Sequence, residues 1–206
     1  MLKIWGRHNS INVQKVLWTA ELCGRPYQSI EVGGAFGGTQ TPEYLALNPN
    51  KLVPTLQDGD VTLWESNAIV RYLAARYGAD GFWPADPVER GYAERWMDWQ
   101  LSTLNDPIRD LFWGHVRIPP EQRNHALMRQ AFERACAVLP VLDAHLAVNA
   151  FVAGQRFTMG DVPVGCLIYR WFSLPLDRPE LPHLARWYAS LHDKPGYRRH
   201  IMVKMT

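Results

Sequence analysis

Several shortages in the sequence each remove a class of protein. There are three cysteines in 206 residues, Cys23, Cys136 and Cys166, widely spaced and without a C-x-x-C pair. That argues against a disulfide framework, a zinc site or a dithiol redox centre, and leaves small, buried apolar thiols. No apolar run approaches the ~18 residues needed to span a bilayer, and the N-terminal "MLKIWGRH" lacks a secretory apolar core, so the cytoplasm is the expected location. Neither charge sign is in excess. The 22 basic and 20 acidic residues are interspersed and leave a net charge of +2, so neither nucleic acid nor an anionic membrane is expected as a partner. No internal repeat or low-complexity tract is present. What remains is 47% hydrophobic, enough for the core of one large domain or two small ones.

The first 77 residues alternate between strand and helix patterns. "LKIW" reads as a strand. "NVQKVLWTAELCG" places Val13, Val16, Leu17 and Ala20 on one helical face and stops at Gly24, and "YQSIEV" returns as a strand. This is a βαβ unit, with parallel strands and a right-handed crossover. A Gly-rich loop, "GGAFGGTQT", leads to a short helix opened by Pro42. "PTLQ" and "VTLW" then flank an Asp58-Gly59 turn, which predicts an antiparallel hairpin. A helix over 66–77, with Ile69, Val70, Leu73 and Tyr77 facing inward, completes the order β-α-β-α-β-β-α.

The composition then changes. "GADGFWPADP", residues 78–87, has two prolines and two glycines in ten residues and reads as a linker. Beyond it only helical periods occur, over roughly 88–115, 121–147, 159–172 and 182–192, with a short piece after Pro195. The expected organisation is an α/β domain over 1–77 joined to an all-helical domain over 88–206. Within the second domain, Thr158 and Asp161 of "FTMGDV" have capping-box spacing, and Phe157 and Val162 stand at staple positions.

Two features of "KLVPTLQDGDVTLWESNAIVRYL" invite a chemical reading. Pro54 cannot donate to a sheet ladder, yet it heads a strand. Glu65-Ser66 stands where a helix begins, and helix N-termini hold anions. Each also has an ordinary reading: a trans proline at a strand edge, a simple helix cap, and for Lys51 a solvated charge.

In combination these residues carry a resemblance. The β-α-β-α-β-β-α unit with "VP" before the third strand, "ESNAI" opening the third helix and "FTMGD" in a helical second domain resembles the cytosolic glutathione S-transferases over the whole chain. The likeness is strongest in "NPNKLVPTLQDGDVTLWESNAIVRYLA" and closest to the serine-type, theta-like and delta-like members, including bacterial ones. It implies a thioredoxin-like N-terminal domain with a cis Val-Pro bond, in which the backbone of Val53, preceding Pro54, pairs with the cysteinyl part of glutathione like an added strand. It implies that Ser66 and the helix start hold the γ-glutamyl carboxylate, that Glu65 holds the ammonium or the local backbone, and that Lys51 meets the glycine carboxylate. Leu52 stands where many classes have lysine.

The family places its catalytic group at the start of the first helix, here "RHNSINVQK". A free thiol with a pKa near ~8.5 is only slightly ionised at pH 7. Lowering it by about two units needs about 2.7 kcal/mol. One hydroxyl hydrogen bond to a charged partner contributes about 1.5–3 kcal/mol, and a helix N-terminus adds about 0.3–1. Ser10 occupies the family's serine position and Asn12 offers a second donor. The alternatives are Asn12 as main donor, or Ser10 as an N-cap only. His8 and His115 have no carboxylate partner at recognisable spacing and are given no acid/base role.

The family's electrophile site is lined by the second domain, where Phe112, Trp113, His115, Tyr169 and Trp171 are candidates; nine tryptophans suit an apolar, stacking cleft. Members pair as homodimers, which brings Asp98 of the partner subunit toward the glutathione site. The implied activity is addition of the glutathione thiolate to an apolar electrophile, with glutathione as co-substrate and no metal. A glutathione-dependent isomerase, dehalogenase, peroxidase or ether-cleaving enzyme, or a non-catalytic regulatory or ligand-binding member, would share the first domain. A disulfide reductase is disfavoured because no cysteine lies near residue 10.

Overall fold

The computed structural model describes residues 1–79 and 81–206. Of the expected linker 78–87, residue 80 lies outside the described residues. Backbone contacts divide the chain into two units. The first comprises Met1–Trp83 with Lys194–Lys204, and the second Pro84–Asp193 with Met205–Thr206.

The first unit runs β1 (Leu2–Trp5), α1 (Ile11–Leu22), β2 (Tyr27–Ile30), α2 (Pro42–Leu47), β3 (Thr55–Asp58), β4 (Val61–Trp64) and α3 (Ser66–Tyr77). The sheet order is β2-β1-β3-β4. β1 and β2 are parallel, as a βαβ crossover requires, while β3 is antiparallel to both β1 and β4. Asp58 pairs with Val61 across a two-residue turn in which Gly59 takes φ 59°, a conformation glycine adopts without a Cβ clash. α1 and α3 pack on the sheet through Val13, Val16, Leu17, Ala20, Ile69 and Leu73, against Leu2, Ile4 and Leu56. The hairpin is tied back to α3 because Asp58 Oδ2 accepts from Tyr72 (2.8 Å) and Tyr77 (2.5 Å). Burial raises the Asp58 pKa, but these phenols and Arg76 outweigh it and hold the carboxyl below its ordinary range.

α1 is buried continuously from Val13 to Ala20, more than the single apolar face read from the sequence. One cause is distant in the chain. The segment 194–204, expected within the helical domain, belongs to the first unit. Trp18 Nε1 donates to the Pro195 carbonyl (3.0 Å), and its ring meets Tyr197 edge-on at 4.8 Å, a pair worth about 0.5–1.5 kcal/mol beyond its area. Glu21 accepts from Arg199 and from His200 (2.6 Å for the latter). Together these fasten α9 (Tyr197–His200) to α1.

The second unit consists of helices. The expected single helix over 88–115 is α4 (Pro87–Trp99) and α5 (Asn105–Phe112), joined by a π-helical turn over Gln100–Leu104 and followed by another over Trp113–Arg117. Pro107 explains the first: it has no N–H and its ring crowds the carbonyl four residues back, so the preceding turn widens. α6 (His125–Val148), α7 (Asp161–Ser173) and α8 (Pro182–Leu191) follow. α7 is buried from Asp161 to Ile168. Asp161 anchors its start: Oδ1 accepts from Val152 N (3.0 Å) and Trp187 Nε1 (2.9 Å), and Oδ2 from Thr158 N (2.9 Å). Complete burial pushes this carboxyl up to about 6 against the pull of those bonds. The Thr158/Asp161 spacing therefore closes as a cap on one side, while the Thr158 hydroxyl accepts from Gly160 N (3.3 Å). Among the described residues, no helix is long and apolar enough to cross a membrane.

Candidate active site

The first unit brings three short segments together. At the start of α1, Ser10 N donates to the Arg7 carbonyl (3.1 Å) and the Ser10 carbonyl accepts from Gln14 N (2.9 Å). Ser10 is thus the N-cap by backbone geometry, yet its side chain makes no capping hydrogen bond. Its hydroxyl, only 8% exposed with its residue, is not spent on the orphan N–H groups of the helix. The reading of Ser10 as a cap only is not supported by that geometry.

At the start of α3, Glu65 sits at φ 71°, ψ 107°, a region that a residue with a Cβ adopts at a cost of about 1–3 kcal/mol and mainly where the surroundings enforce it. It turns the chain so that Ser66 and Asn67 are both buried. Ser66 Oγ donates to Asn12 Oδ1 (3.3 Å), which links the N-terminal turns of α1 and α3. Both helices are twelve residues long, and each offers free N–H groups and the positive end of its dipole there.

The third segment is the loop entering β3. The Val53–Pro54 peptide is cis, and among the described residues Val53 makes no backbone hydrogen bond, so its N–H and C=O are available to a ligand backbone. The sequence reading missed what holds this loop. The Leu52 carbonyl accepts from Tyr44 OH (2.6 Å) and Asn48 Nδ2 (2.9 Å), and both side chains also reach Thr55 Oγ1. Tyr44 and Asn48 are buried one helical turn apart, an i, i+4 pair in "PEYLALN" that was the available signal. Lys51 is exposed at φ 61° beside this braced carbonyl. Gly6 is a steric necessity: a Cβ there would stand 2.4 Å from Val13 Cγ2 and 3.1 Å from Val53 Cβ.

The remaining candidates are scattered. His8 is exposed and bound through Nδ1 to Glu31. In the second unit, burial and the Arg123 charge lower the pKa of half-buried His115, whose carbonyl accepts from Arg123 (2.7 Å). Phe112 and Trp171 are 3% and 1% exposed. Arg170 lies 3.8 Å above the Phe112 ring, and Trp171 stacks on Phe132, so both rings leave almost no surface for a substrate. Trp113 instead lines an apolar groove of about 450 Å³ with Gly114, Ile118, Leu127 and Met128. Tyr169 is partly exposed on α7, and Asp98 is exposed on α4. Among the described residues, no group of three or more His, Cys, Asp or Glu is placed to hold a metal.

Comparison with known proteins turns this geometry into an assignment. Residues 9–76 match the family model for the glutathione S-transferase N-terminal domain, and residues 104–195 that for the C-terminal domain. The chain belongs to the glutathione S-transferase family. Glutathione S-transferase GstB of Escherichia coli (strain K12) is 42% identical over the full length of both chains. The theta class glutathione S-transferase from the citrus canker pathogen Xanthomonas axonopodis pv. citri, solved with glutathione bound, shares 55% identity and superposes with a TM-score of 0.96, covering 100% of this chain and 99% of that one. A Nilaparvata lugens delta-class glutathione transferase, 27% identical, superposes at 0.87 over 98% and 93% of the two chains. Family membership accounts for the thioredoxin-like sheet and the helical second unit, and makes the protein a transferase that uses glutathione as co-substrate.

Proposed function

We propose that glutathione lies along the corner formed by the starts of α1 and α3 and the Val53 loop, and that Ser10 donates to its thiolate. The observation that carries this reading is the Ser10 side chain, which stands buried at a helix N-terminus without capping it. The exposed backbone of Val53 pairs with the cysteinyl residue. Ser66, turning from Asn12, donates to the γ-glutamyl carboxylate at the N-terminus of α3, Glu65 meets the ammonium, and Lys51 the glycine carboxylate. Asn12 is the second donor, through its Nδ2, and its Oδ1, the Ser66 acceptor in the unliganded protein, is released as Ser66 turns to the carboxylate.

The chemistry is proximity plus stabilisation of charge. The thiol loses its proton to solvent, the thiolate forms a C–S bond to an electrophilic carbon, and the displaced electron pair leaves with a halide or opens an epoxide. Trp113, His115 and Tyr169 are the second-unit residues with surface to offer an apolar electrophile, and Phe112 and Trp171 support them from the core. The protein acts as a cytoplasmic homodimer in detoxification, with Asp98 of the partner subunit adjoining the glutathione site; light scattering tests the pairing, which a strict monomer at micromolar concentration would exclude. The activity test is a panel of aryl halides, epoxides, hydroperoxides and maleyl compounds with glutathione. Conjugation of aryl halides or epoxides is expected. Turnover confined to peroxides or maleyl isomers would replace the reaction type, and glutathione binding without turnover of any compound would overturn the catalytic reading.

A further inference from the structure

Lys15 is one of the least exposed charged residues in the protein, at 1%. Lysine is almost never fully buried unless its head is held, and an ammonium in a low-dielectric setting is costly enough to suggest a task. Its periodic position gives no packing reason, since the sheet-facing residues of α1 are Val13, Val16, Leu17 and Ala20. Lys15 Nζ donates to Asn67 Oδ1 (3.2 Å), and Asn67 is itself 2% exposed.

The placement matters. Asn67 directly follows Ser66 in the first turn of α3, and Lys15 stands three residues after Asn12 on α1, so the two lie on the same face of that helix. Two cross-links therefore run in parallel between the helix starts, Asn12 to Ser66 and Lys15 to Asn67. The first involves groups that a bound glutathione would contact. The second is fully buried and brings a positive charge to a first turn already at the positive end of a dipole. A positive charge near a helix N-terminus favours a carboxylate seated there.

We infer that Lys15 is a positioning residue for the γ-glutamyl end of glutathione: through Asn67 it fixes the first turn of α3, and its charge strengthens that turn's hold on a carboxylate. The inference rests on the glutathione reading of this corner. Neither residue touches the reacting sulfur, so the thiol pKa is set by Ser10 and Asn12 and is left alone by Lys15.

The test compares two ligands, S-hexylglutathione and S-hexylcysteinylglycine, which lacks the γ-glutamyl group, by calorimetric competition. Lys15→Met should weaken S-hexylglutathione about ten-fold, the scale of losing one unit charge near a carboxylate at intermediate dielectric, and leave S-hexylcysteinylglycine unchanged. Lys15→Arg should recover most of the loss. Asn67→Ala should show the same ligand selectivity, and the double variant should be no worse than the more severe single one. Equal weakening of both ligands would mean general loosening of the fold, and unchanged affinity for both would leave Lys15 without this role; either result overturns the inference. If Lys15→Met fails to fold, Asn67→Ala decides by the same ratio. Failure of the wild-type protein to bind S-hexylglutathione at all would instead remove the glutathione reading itself.

Discussion

Replacing Ser10 with alanine separates a catalytic hydroxyl from a structural one. An N-cap side chain that bonds the helix contributes about 0.5–2 kcal/mol, but Ser10 makes no such bond. Ser10→Ala should therefore unfold in urea within about 0.5 kcal/mol of the wild type, because it removes one hydroxyl that bonds no structural partner. Its effect should appear on the thiol. A hydroxyl bond to a charged partner is worth about 1.5–3 kcal/mol, which at about 1.36 kcal/mol per pKa unit is one to two units. Losing a donor to the charged form disfavours that form, so the pKa of bound glutathione rises toward about 8.5. Ultraviolet thiolate absorbance of the binary complex, titrated against pH, reads this directly. Near pH 7 kcat/KM should fall about ten-fold or more, and part of it should return at pH 9, where the unaided thiol ionises. Asn12→Ala should move the thiol pKa less. An unmoved pKa in Ser10→Ala beside a raised one in Asn12→Ala would transfer the role to Asn12, and a stability loss above about 1 kcal/mol would restore Ser10 as a cap.

Other substitutions test the rest of the framework. Ser66→Ala should weaken glutathione binding by about 1–3 kcal/mol, the cost of a carboxylate short of one donor, with the fold intact; unchanged affinity by titration calorimetry would reduce Ser66 to a tie between helices. Asp161→Ala leaves Val152 N, Thr158 N and Trp187 Nε1 without their acceptor. At about 1–3 kcal/mol per buried unsatisfied group the loss should reach about 3 kcal/mol or more in chemical denaturation, and a loss below about 1 would mean that water replaces the carboxylate. The tie between α9 and α1 should depend on pH. Burial raises the Glu21 pKa, yet the bonds from His200 and Arg199 hold it below the ordinary carboxylate range, and burial lowers that of His200 below the ordinary imidazole range. Both shifts make the folded state bind fewer protons than the unfolded one, so their contribution is present at neutral pH and fades as the solution is acidified. Glu21→Gln should lower the melting temperature at pH 7 and converge with wild type as the pH falls through the lowered carboxyl pKa of the folded protein; a constant difference at all pH values would refute the linkage.

The sequence alone determined what short-range chemistry encodes. The strand-helix order of the first 77 residues follows from periods of two and 3.6, from Gly24 and Gly59 at chain reversals, and from Pro42 at a helix start. The segment from Lys51 to Ser66 was legible because its unusual residues, a proline before a strand and Glu-Ser at a helix entrance, lie within sixteen positions of one another in a recognisable order. The tertiary structure decided what depends on partners far along the chain. Trp18 and Pro195 are 177 residues apart, so no local pattern could assign the tail to the first unit. Whether the Ser10 hydroxyl caps its helix is a matter of side-chain direction, and residue type leaves that open. Of the aromatic candidates, Phe112 and Trp113 are neighbours in sequence, yet one is 3% and the other 55% exposed, because adjacent positions on a helix point about 100° apart. Lys15 reads in the sequence as one more solvated charge. Tertiary packing buries it to 1% exposure and sets it against Asn67, and burial is what turns an ordinary lysine into a candidate part of the site.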